Sequence, residues 1–457
     1  MNKNYDIVVI GGGPGGYVAA IRAAQLGKKV AIIEESLLGG VCLNWGCIPT
    51  KSLLKNAFVL DIVKNASKYG IEIPKYDIKW DKVIQRSRNI SKRLNKGIEY
   101  LMNKNKIDFI NSKAILKNAN TILINDSKDE INSEFIVLAT GTKQKNLPGL
   151  KIDKKQIISS REAMVLDHVP KRMAIIGAGA IGVEFAHLYN TFGSDVTLIE
   201  AMPQILPNED LDISTELSSI LSKRKIKILT DKIVSKVIKN KKSVTLIVGS
   251  EEVETDIVLV AVGVSGNIAN LGLENIGLDT KNGFISKNNF LQTNIQNIYA
   301  IGDVSGPPLL AHVASSEGIV AVEHICGLDV KEMLYDNIPA CTYCEPEIAS
   351  VGFTESQAKD KGYEVKVGRF PFRALGKSLA DGSHEGFVKV IYDSQYGELL
   401  GCHIIGHNAS NLISEVGIAR MLETTYHEVL KTIHPHPTLS EAIHESVLNA
   451  FGRSIHI

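Results

Sequence analysis

One pattern constrains the fold of this chain more than any other, and it occurs twice. The segment from Tyr5 reads YDIVVIGGGPGGYVAAIRAAQLGKKVAIIEE. A β-branched run, Ile7 to Ile10, meets Gly11-x-Gly13-x-x-Gly16. A small-residue helix follows and stops near Gly27, and a second apolar strand, Val30 to Ile33, ends on Glu34. This order predicts a strand–helix–strand unit that binds a dinucleotide. Its glycines permit the tight turn, the close approach of a pyrophosphate and close helix–strand packing. The helix start offers free N–H groups and a positive dipole end to the phosphates. Glu34 stands where a carboxylate accepts hydrogen bonds from an adenosine ribose.

From Met173 the pattern returns as MAIIGAGAIGVEFAHLYNTFGSDVTLIE. Gly177, Gly179 and Gly182 match Gly11, Gly13 and Gly16, Gly193 matches Gly27, and Glu200 matches Glu34 without a gap. One such glycine cluster can serve packing alone, but two complete copies predict two dinucleotide sites. Glu200 would repel a 2′-phosphate, and Ala201, Met202 and Pro203 supply no arginine to receive one. NAD is therefore expected rather than NADP.

Two further segments complete the first site. FIVLATGT (Phe135 to Thr142) reads as a buried strand ending in a glycine turn. TNIQNIYAIGDV (Thr293 to Val304) reads as a strand ending in Gly302-Asp303, with Asp303 placed to bind a sugar-like chain. The 457 residues suffice for about three domains. A net charge of +1 gives no electrostatic footprint for nucleic acid or an anionic membrane. No apolar run approaches the roughly 18 residues of a membrane-spanning helix. After MNKN the chain enters the first strand with no signal-like segment, so a cytoplasmic protein is expected.

Six cysteines are too sparse for a disulfide scaffold. Two of them, Cys42 and Cys47, stand close together in GGVCLNWGCIPTKSLL and could be a structural disulfide, half a metal site or a redox pair. Pro49 suits a first helical turn, which puts Cys47 at a helix N-terminus with Lys51 four residues on. Both features lower a thiol pKa. A metal site needs roughly four ligands, and a disulfide closing so short a loop stabilises little. A redox pair is the best reading. In HPHPTLSEAIHE, His436 and Glu441 lie within reach across a turn, a pairing that fixes the tautomer and raises the basicity of an imidazole. Surface or capping roles suit His434 and His444 better. Cys341-x-x-Cys344 lacks the setting of a thioredoxin or zinc motif, and Cys326 and Cys402 read as small buried apolar residues.

Together these motifs resemble the pyridine nucleotide-disulfide oxidoreductases, glutathione reductase-like flavoenzymes, over almost the whole chain. LLAHVASSEG, PACTYCEPEIASVGFTE, HPHPTLSE and the NAD-type Glu200 point to the branch that oxidises dihydrolipoyl groups. The resemblance implies an α/β fold: two Rossmann-like dinucleotide-binding domains and an α+β C-terminal dimerisation domain. Expected bounds are an FAD domain at 1–145, an NAD domain at 146–268, a central segment at 269–338 that completes the FAD site, and an interface domain at 339–457. In that last domain, GRFPFRALGKSLADGSHEGFVKVIYDSQYGELLGCHIIG is expected to form antiparallel strands, followed by helices that carry His436.

By the same resemblance, Cys42 exchanges with substrate sulfur and Cys47 faces the flavin. Lys51 lies near flavin N5, Glu184 pairs with it, and His436 with Glu441 is the base. FAD contacts are expected from Gly11, Gly13, Pro14, Gly16, Glu34, Gly40, Val41, Lys51, Ala114, Thr140, Gly141, Asp303, Leu310, Ala311 and His312. NAD contacts are expected from Gly177, Gly179, Ile181, Gly182, Glu200, Val234 and Gly263. No metal is implied. The base of one subunit serves the disulfide of the other, so a homodimer is implied. The implied partner is the lipoyl-bearing acyltransferase of 2-oxoacid dehydrogenase complexes, with glycine cleavage a second setting. No lipoyl-domain extension precedes the first strand, so the lipoyl group is expected on a separate carrier. AVGVSGN and GHNASN depart from the usual family turns, away from the chemistry. The alternatives are a glutathione-like or mercuric reductase of the same family, or an inert flavin-bearing binding protein.

Overall fold

The computed structural model describes residues 3–457 except 126, 127, 146 and 148. The expected starts of the first and second domains, at positions 1 and 146, lie outside the described residues.

The first sheet is built on Lys3–Ile10. Its parallel neighbours are Val30–Ile33 and Asp129–Leu138, with Asp108–Ile110 beyond Val30–Ile33. Continuous apolar strands are what a parallel sheet covered on both faces requires. Ile7 and Val9 pack with Ala19, Ala20 and Ala23 of the glycine-motif helix (Pro14–Gln25), while Val8 and Ile10 enter the core on the opposite face. Asp129–Leu138 forks. Its first half forms a hairpin with Thr121–Ile124, and its last residues pair in parallel with Ile298–Ala300 from far down the chain.

The second sheet repeats the plan, all parallel, in the order Lys227–Leu229, Asp195–Ile199, Arg172–Ile176, Ile257–Val260, Ile157–Ile158. Beside it lies a three-stranded antiparallel sheet, Val234–Lys239, Val244–Val248 and Glu251–Thr255. The chain leaves the first module along Thr142–Gln144 and returns along Val264–Gly266, and these two strands pair antiparallel.

The two glycine motifs have the same geometry. Gly11 and Gly177 sit at φ +110° and +101°, and a β-carbon on either would overlap the carbonyl of Ala139 or Ala261. Only glycine meets both demands. The helices they lead into, Pro14–Gln25 and Ala180–Thr191, are capped by extended Gly13 and Gly179.

A five-stranded antiparallel sheet forms the C-terminal part, ordered Ala340–Thr342, Glu347–Gly352, Leu399–Gly406, Phe387–Asp393, Val365–Pro371. Helices Ala409–Met421 and Glu441–Ala450 pack on it. No helix among the described residues is long and apolar enough to cross a membrane.

Several elements differ in extent from expectation. The strand expected over 293–304 is only Ile298–Ala300. The Thr293 hydroxyl bonds locally with Ile295 N–H and the Ile298 carbonyl, which turns the chain before it pairs. The segment expected as antiparallel strands includes a short helix, Gly376–Asp381. His436 lies in the turn ahead of Glu441–Ala450, not on a helix.

The second module meets the C-terminal sheet at a charged junction. Lys389, only 1% exposed, reaches Asp210 (2.8 Å), Asp212 (2.5 Å) and Glu355 (2.8 Å). Next to Asp210, Glu209 is pushed up to about 7 by burial and by the Asp210 charge, with one hydrogen bond from Ser350 opposing them. A carboxyl raised on folding keeps its full stability below its unfolded pKa and loses it as pH rises through the folded value. Stability should therefore fall between roughly pH 4.5 and 7 by on the order of 3 kcal/mol from this group. Glu209→Gln should remove that fall, so that urea midpoints of variant and wild type diverge only towards neutral pH. Parallel pH profiles would refute the assignment.

Candidate active site

Two helices create the cysteine geometry. Gly40–Trp45 carries Cys42, the chain breaks at Gly46, and Cys47 is the first residue of the long helix Cys47–Lys64. Both thiols are free and half-buried. They form one hydrogen-bonded pair with opposite preferences. The bond from Cys42 lowers the Cys47 pKa against its burial, aided by the Lys51 ammonium and by Cys47's own backbone N–H. Cys42, as donor, is pushed far up by that bond, by burial and by the charge on Cys47. The pair prefers its proton on Cys42, and this arrangement favours the thiolate at Cys47.

Lys51, one turn into the same helix, donates to both oxygens of Glu184 at 2.9 and 3.1 Å. Glu184 is buried on Ala180–Thr191, the glycine-motif helix of the second module. The pair therefore ties the cysteine helix to the second dinucleotide unit.

Around the cysteines, the first cradle is assembled from distant segments. A β-carbon at Gly40 would stand 2.7 Å from the Gly13 Cα, so the cysteine segment lies directly on the glycine turn. Pro14 is the first residue of its helix. Val41 is exposed beside Cys42, and Ala114 is buried in the first-sheet core. Thr140 donates to the Asn267 carbonyl at 2.9 Å and Gly141 turns with φ +67°, next to the returning strand. Asp303 is raised by burial, opposed by a hydrogen bond from Thr142, and its charge reaches Cys42. Leu310 caps helix Ala311–Ile325, and His312 Nε2 lies 2.9 Å from the Pro339 carbonyl.

Glu34 and Glu200 show a symmetry that spacing alone did not reveal. Glu34 accepts from Gly12 N–H and Ser36 N–H, both at 2.8 Å. Glu200 accepts from Ala178 N–H (2.7 Å) and Met202 N–H (2.9 Å). Each carboxylate thus clamps its own glycine turn and retains further lone pairs for a ribose. In the second cradle Ile181 is 43% exposed on the first helical turn, Gly263 turns with φ +94° after strand Ile257–Val260, and Val234 starts a strand at a bulge. Two open glycine turns at helix starts, each with a clamped carboxylate, fit two dinucleotides.

The His436 Nδ1 lies 2.8 Å from Glu441 Oε1, and Thr438 N–H donates to Oε2 at 2.8 Å. Against burial, these bonds hold Glu441 below the usual carboxylate range. The imidazole is 78% exposed, with Nε2 directed away from its partner. His434 instead pairs with Glu415 at 2.7 Å and packs on His444.

Sequence reasoning missed two residues. Glu317 accepts from Gly302 N–H, from Lys287 and from the Tyr335 hydroxyl (2.6 Å), fixing the turn that presents Asp303. It lies in LLAHVASSEG, of which the sequence reading names only Leu310, Ala311 and His312. Tyr343 donates its backbone N–H to Glu184 at 3.0 Å and places its ring 4.3 Å from the Lys51 ammonium.

Known proteins resemble this chain along its whole length. Residues 5–318 match the family model described as pyridine nucleotide-disulphide oxidoreductase, and residues 338–447 match its dimerisation domain. The chain is 45% identical to a dihydrolipoyl dehydrogenase of Zymomonas mobilis and 43% identical to one of Bacillus subtilis, covering all of both chains in each case. Among solved structures, a hypochlorous acid-induced flavoprotein disulfide reductase of Escherichia coli superimposes with TM-score 0.89 at 26% identity, over 97% of this chain and 99% of that one. The protein LpdA of Mycobacterium tuberculosis gives TM-score 0.90 at 25% identity, with the same coverage. A doubled dinucleotide fold with a paired-cysteine helix set against both cradles, and a matched dimerisation domain, makes this chain a member of the pyridine nucleotide-disulphide oxidoreductase family.

Proposed function

We propose that this protein oxidises protein-bound dihydrolipoamide to lipoamide and passes the electrons to NAD⁺, as a dihydrolipoyl dehydrogenase using FAD and NAD. The observation that carries the reading is the unequal cysteine pair on the Lys51–Glu184 bridge, in a chain 40–45% identical throughout to enzymes of that name. FAD occupies the first cradle and NAD the second. The domains run 1–145, 146–268, 269–338 and 339–457. The enzyme acts as a cytoplasmic homodimer, served by the lipoyl-bearing acyltransferase of a 2-oxoacid dehydrogenase complex, with glycine cleavage a second setting.

Turnover starts from the Cys42–Cys47 disulfide. A dihydrolipoyl thiol gives its proton to His436 of the partner subunit, and the resulting thiolate attacks Cys42 Sγ. The S–S bond breaks, Cys47 leaves as a thiolate, and the substrate is joined to Cys42. The protonated His436 gives its proton to Cys42 Sγ as the second substrate thiol, yielding its own proton to the freed imidazole, attacks the substrate sulfur of that mixed disulfide. Lipoamide leaves and Cys42 is released as a thiol, giving the hydrogen-bonded pair seen here. Lys51 and the helix N-terminus stabilise the Cys47 thiolate, and Glu441 orients the imidazole. The first cradle would hold FAD through Gly11, Gly13 and Glu34, and the bound flavin would supply two-electron chemistry between the dithiol and NAD⁺.

Purified protein mixed with dihydrolipoamide and NAD⁺ should form NADH with ping-pong kinetics. NADPH-dependent reduction of glutathione disulfide or mercuric ion, with no dihydrolipoamide oxidation, would overturn the reading.

A further inference from the structure

Cys341-x-x-Cys344 drew no function from its spacing, yet one of the two residues between its cysteines, Tyr343, touches both members of the Lys51–Glu184 bridge. Tyr343 follows strand Ala340–Thr342 at the edge of the C-terminal sheet. Its N–H and the Lys51 ammonium converge on the same Glu184 oxygen, at 3.0 and 2.9 Å. Its ring stands 4.3 Å from that ammonium, within the range where an aromatic face attracts a cation. Three segments far apart in sequence, the cysteine helix, the second glycine-motif helix and the C-terminal sheet, therefore meet at one tyrosine.

The two cysteines mount this ring. The Tyr343 hydroxyl and the Cys341 thiol are hydrogen-bonded, while Cys344 is fully buried and donates to the Pro346 carbonyl at 3.2 Å. Burial pushes Cys341 up to about 11, helped by Glu347 and opposed by the bond from Tyr343, and pushes Tyr343 up to about 12, helped by Cys341 and Glu347. Neither group ionises near neutral pH, so the ring offers Lys51 an uncharged face. A carboxylate there would compete with Glu184, and an aliphatic side chain would leave the ammonium free to swing towards solvent.

We propose that Tyr343 is a positioning residue of the redox centre: its ring seats the Lys51 ammonium and its peptide N–H seats Glu184, holding the pair against Cys47. The inference rests on the proposed function only in naming Cys47 as the reacting thiol. Cys47 is faced by Cys42 from the preceding helix, by Lys51 on its own helix and by Glu184 across the interface, while Tyr17 and Asp303 face Cys42. Among the described residues that seat Lys51, only Tyr343 acts through an uncharged ring.

The test is iodoacetamide labelling of Cys47 as a function of pH in Cys42→Ser holoenzyme, followed by peptide mass spectrometry. Tyr343→Leu should raise the labelling midpoint by roughly half a unit to one unit, because the ammonium is no longer held. Tyr343→Met should shift it the same way, and serves as the second variant should leucine impair folding. Tyr343→Phe keeps the ring and should keep the wild-type midpoint. In a Lys51→Met background, Tyr343→Leu should add no further shift. An unchanged midpoint in both ring-less variants overturns the proposal. So does an equal shift in Tyr343→Phe, or a shift that persists without Lys51. Dihydrolipoamide turnover of the wild type tests the functional reading separately, since the Cys47 midpoint does not depend on which disulfide or dithiol the enzyme serves.

Discussion

Cys42→Ser and Cys47→Ser should each lower NAD⁺-dependent oxidation of dihydrolipoamide by at least about 10³-fold, yet leave behind very different thiols. The turnover loss is shared because the reaction needs a disulfide and either serine prevents one. The difference comes from the geometry. In Cys42→Ser the serine hydroxyl can still donate to Cys47, and Lys51 and the helix start are untouched, so Cys47 keeps a depressed pKa. In Cys47→Ser, Cys42 loses the acceptor that holds its proton and should titrate much closer to an ordinary cysteine. Alkylation rates against pH distinguish the two. If the remaining thiol of Cys42→Ser titrates no lower than a free cysteine, the thiolate has been assigned to the wrong sulfur.

His436→Ala should reduce dihydrolipoamide oxidation by about 10² to 10⁴-fold, the usual cost of losing a general base. Electron transfer from NADH to a dye should change little, because that route takes no proton from a substrate thiol. With Nδ1–H donated to Glu441, Nε2 bears the lone pair and lies on the open side of an exposed ring. That arrangement suits a base presented to a neighbouring subunit. Equal losses in the two assays would remove His436 from the thiol side of the reaction.

What could be read from the sequence was mostly what is local. The glycine turns, the helix start at Cys47 and the His436–Glu441 pair each span a few residues, so spacing carried them. The Lys51–Glu184 bridge joins positions 133 apart and was expected only through family resemblance. Tyr343 reaches Glu184 across 159 positions, and nothing in its neighbourhood advertised the contact. The segment was noticed for its cysteines, whose buried, raised thiols serve to hold a ring. The clamping by Glu34 and Glu200 was hidden for another reason: a carboxylate fit to bind a ribose is also fit to bind the turn before it. Strand lengths went astray where side chains such as the Thr293 hydroxyl captured backbone groups that a ladder would have used.

The antiparallel ribbon of Thr142–Gln144 and Val264–Gly266 has a consequence for how the molecule is made. The host sheet cannot gain its Ile298–Ala300 strand until the whole guest module has emerged from the ribosome. At ordinary synthesis rates that interval is roughly ten to thirty seconds, long enough for the guest to fold first. The host meanwhile carries Asp129–Leu138 with half of one edge bare, a surface that can pair wrongly with another nascent chain. A closed guest holds the two ends of the gap together, so the missing strand arrives beside its place and the exposed edge is soon covered.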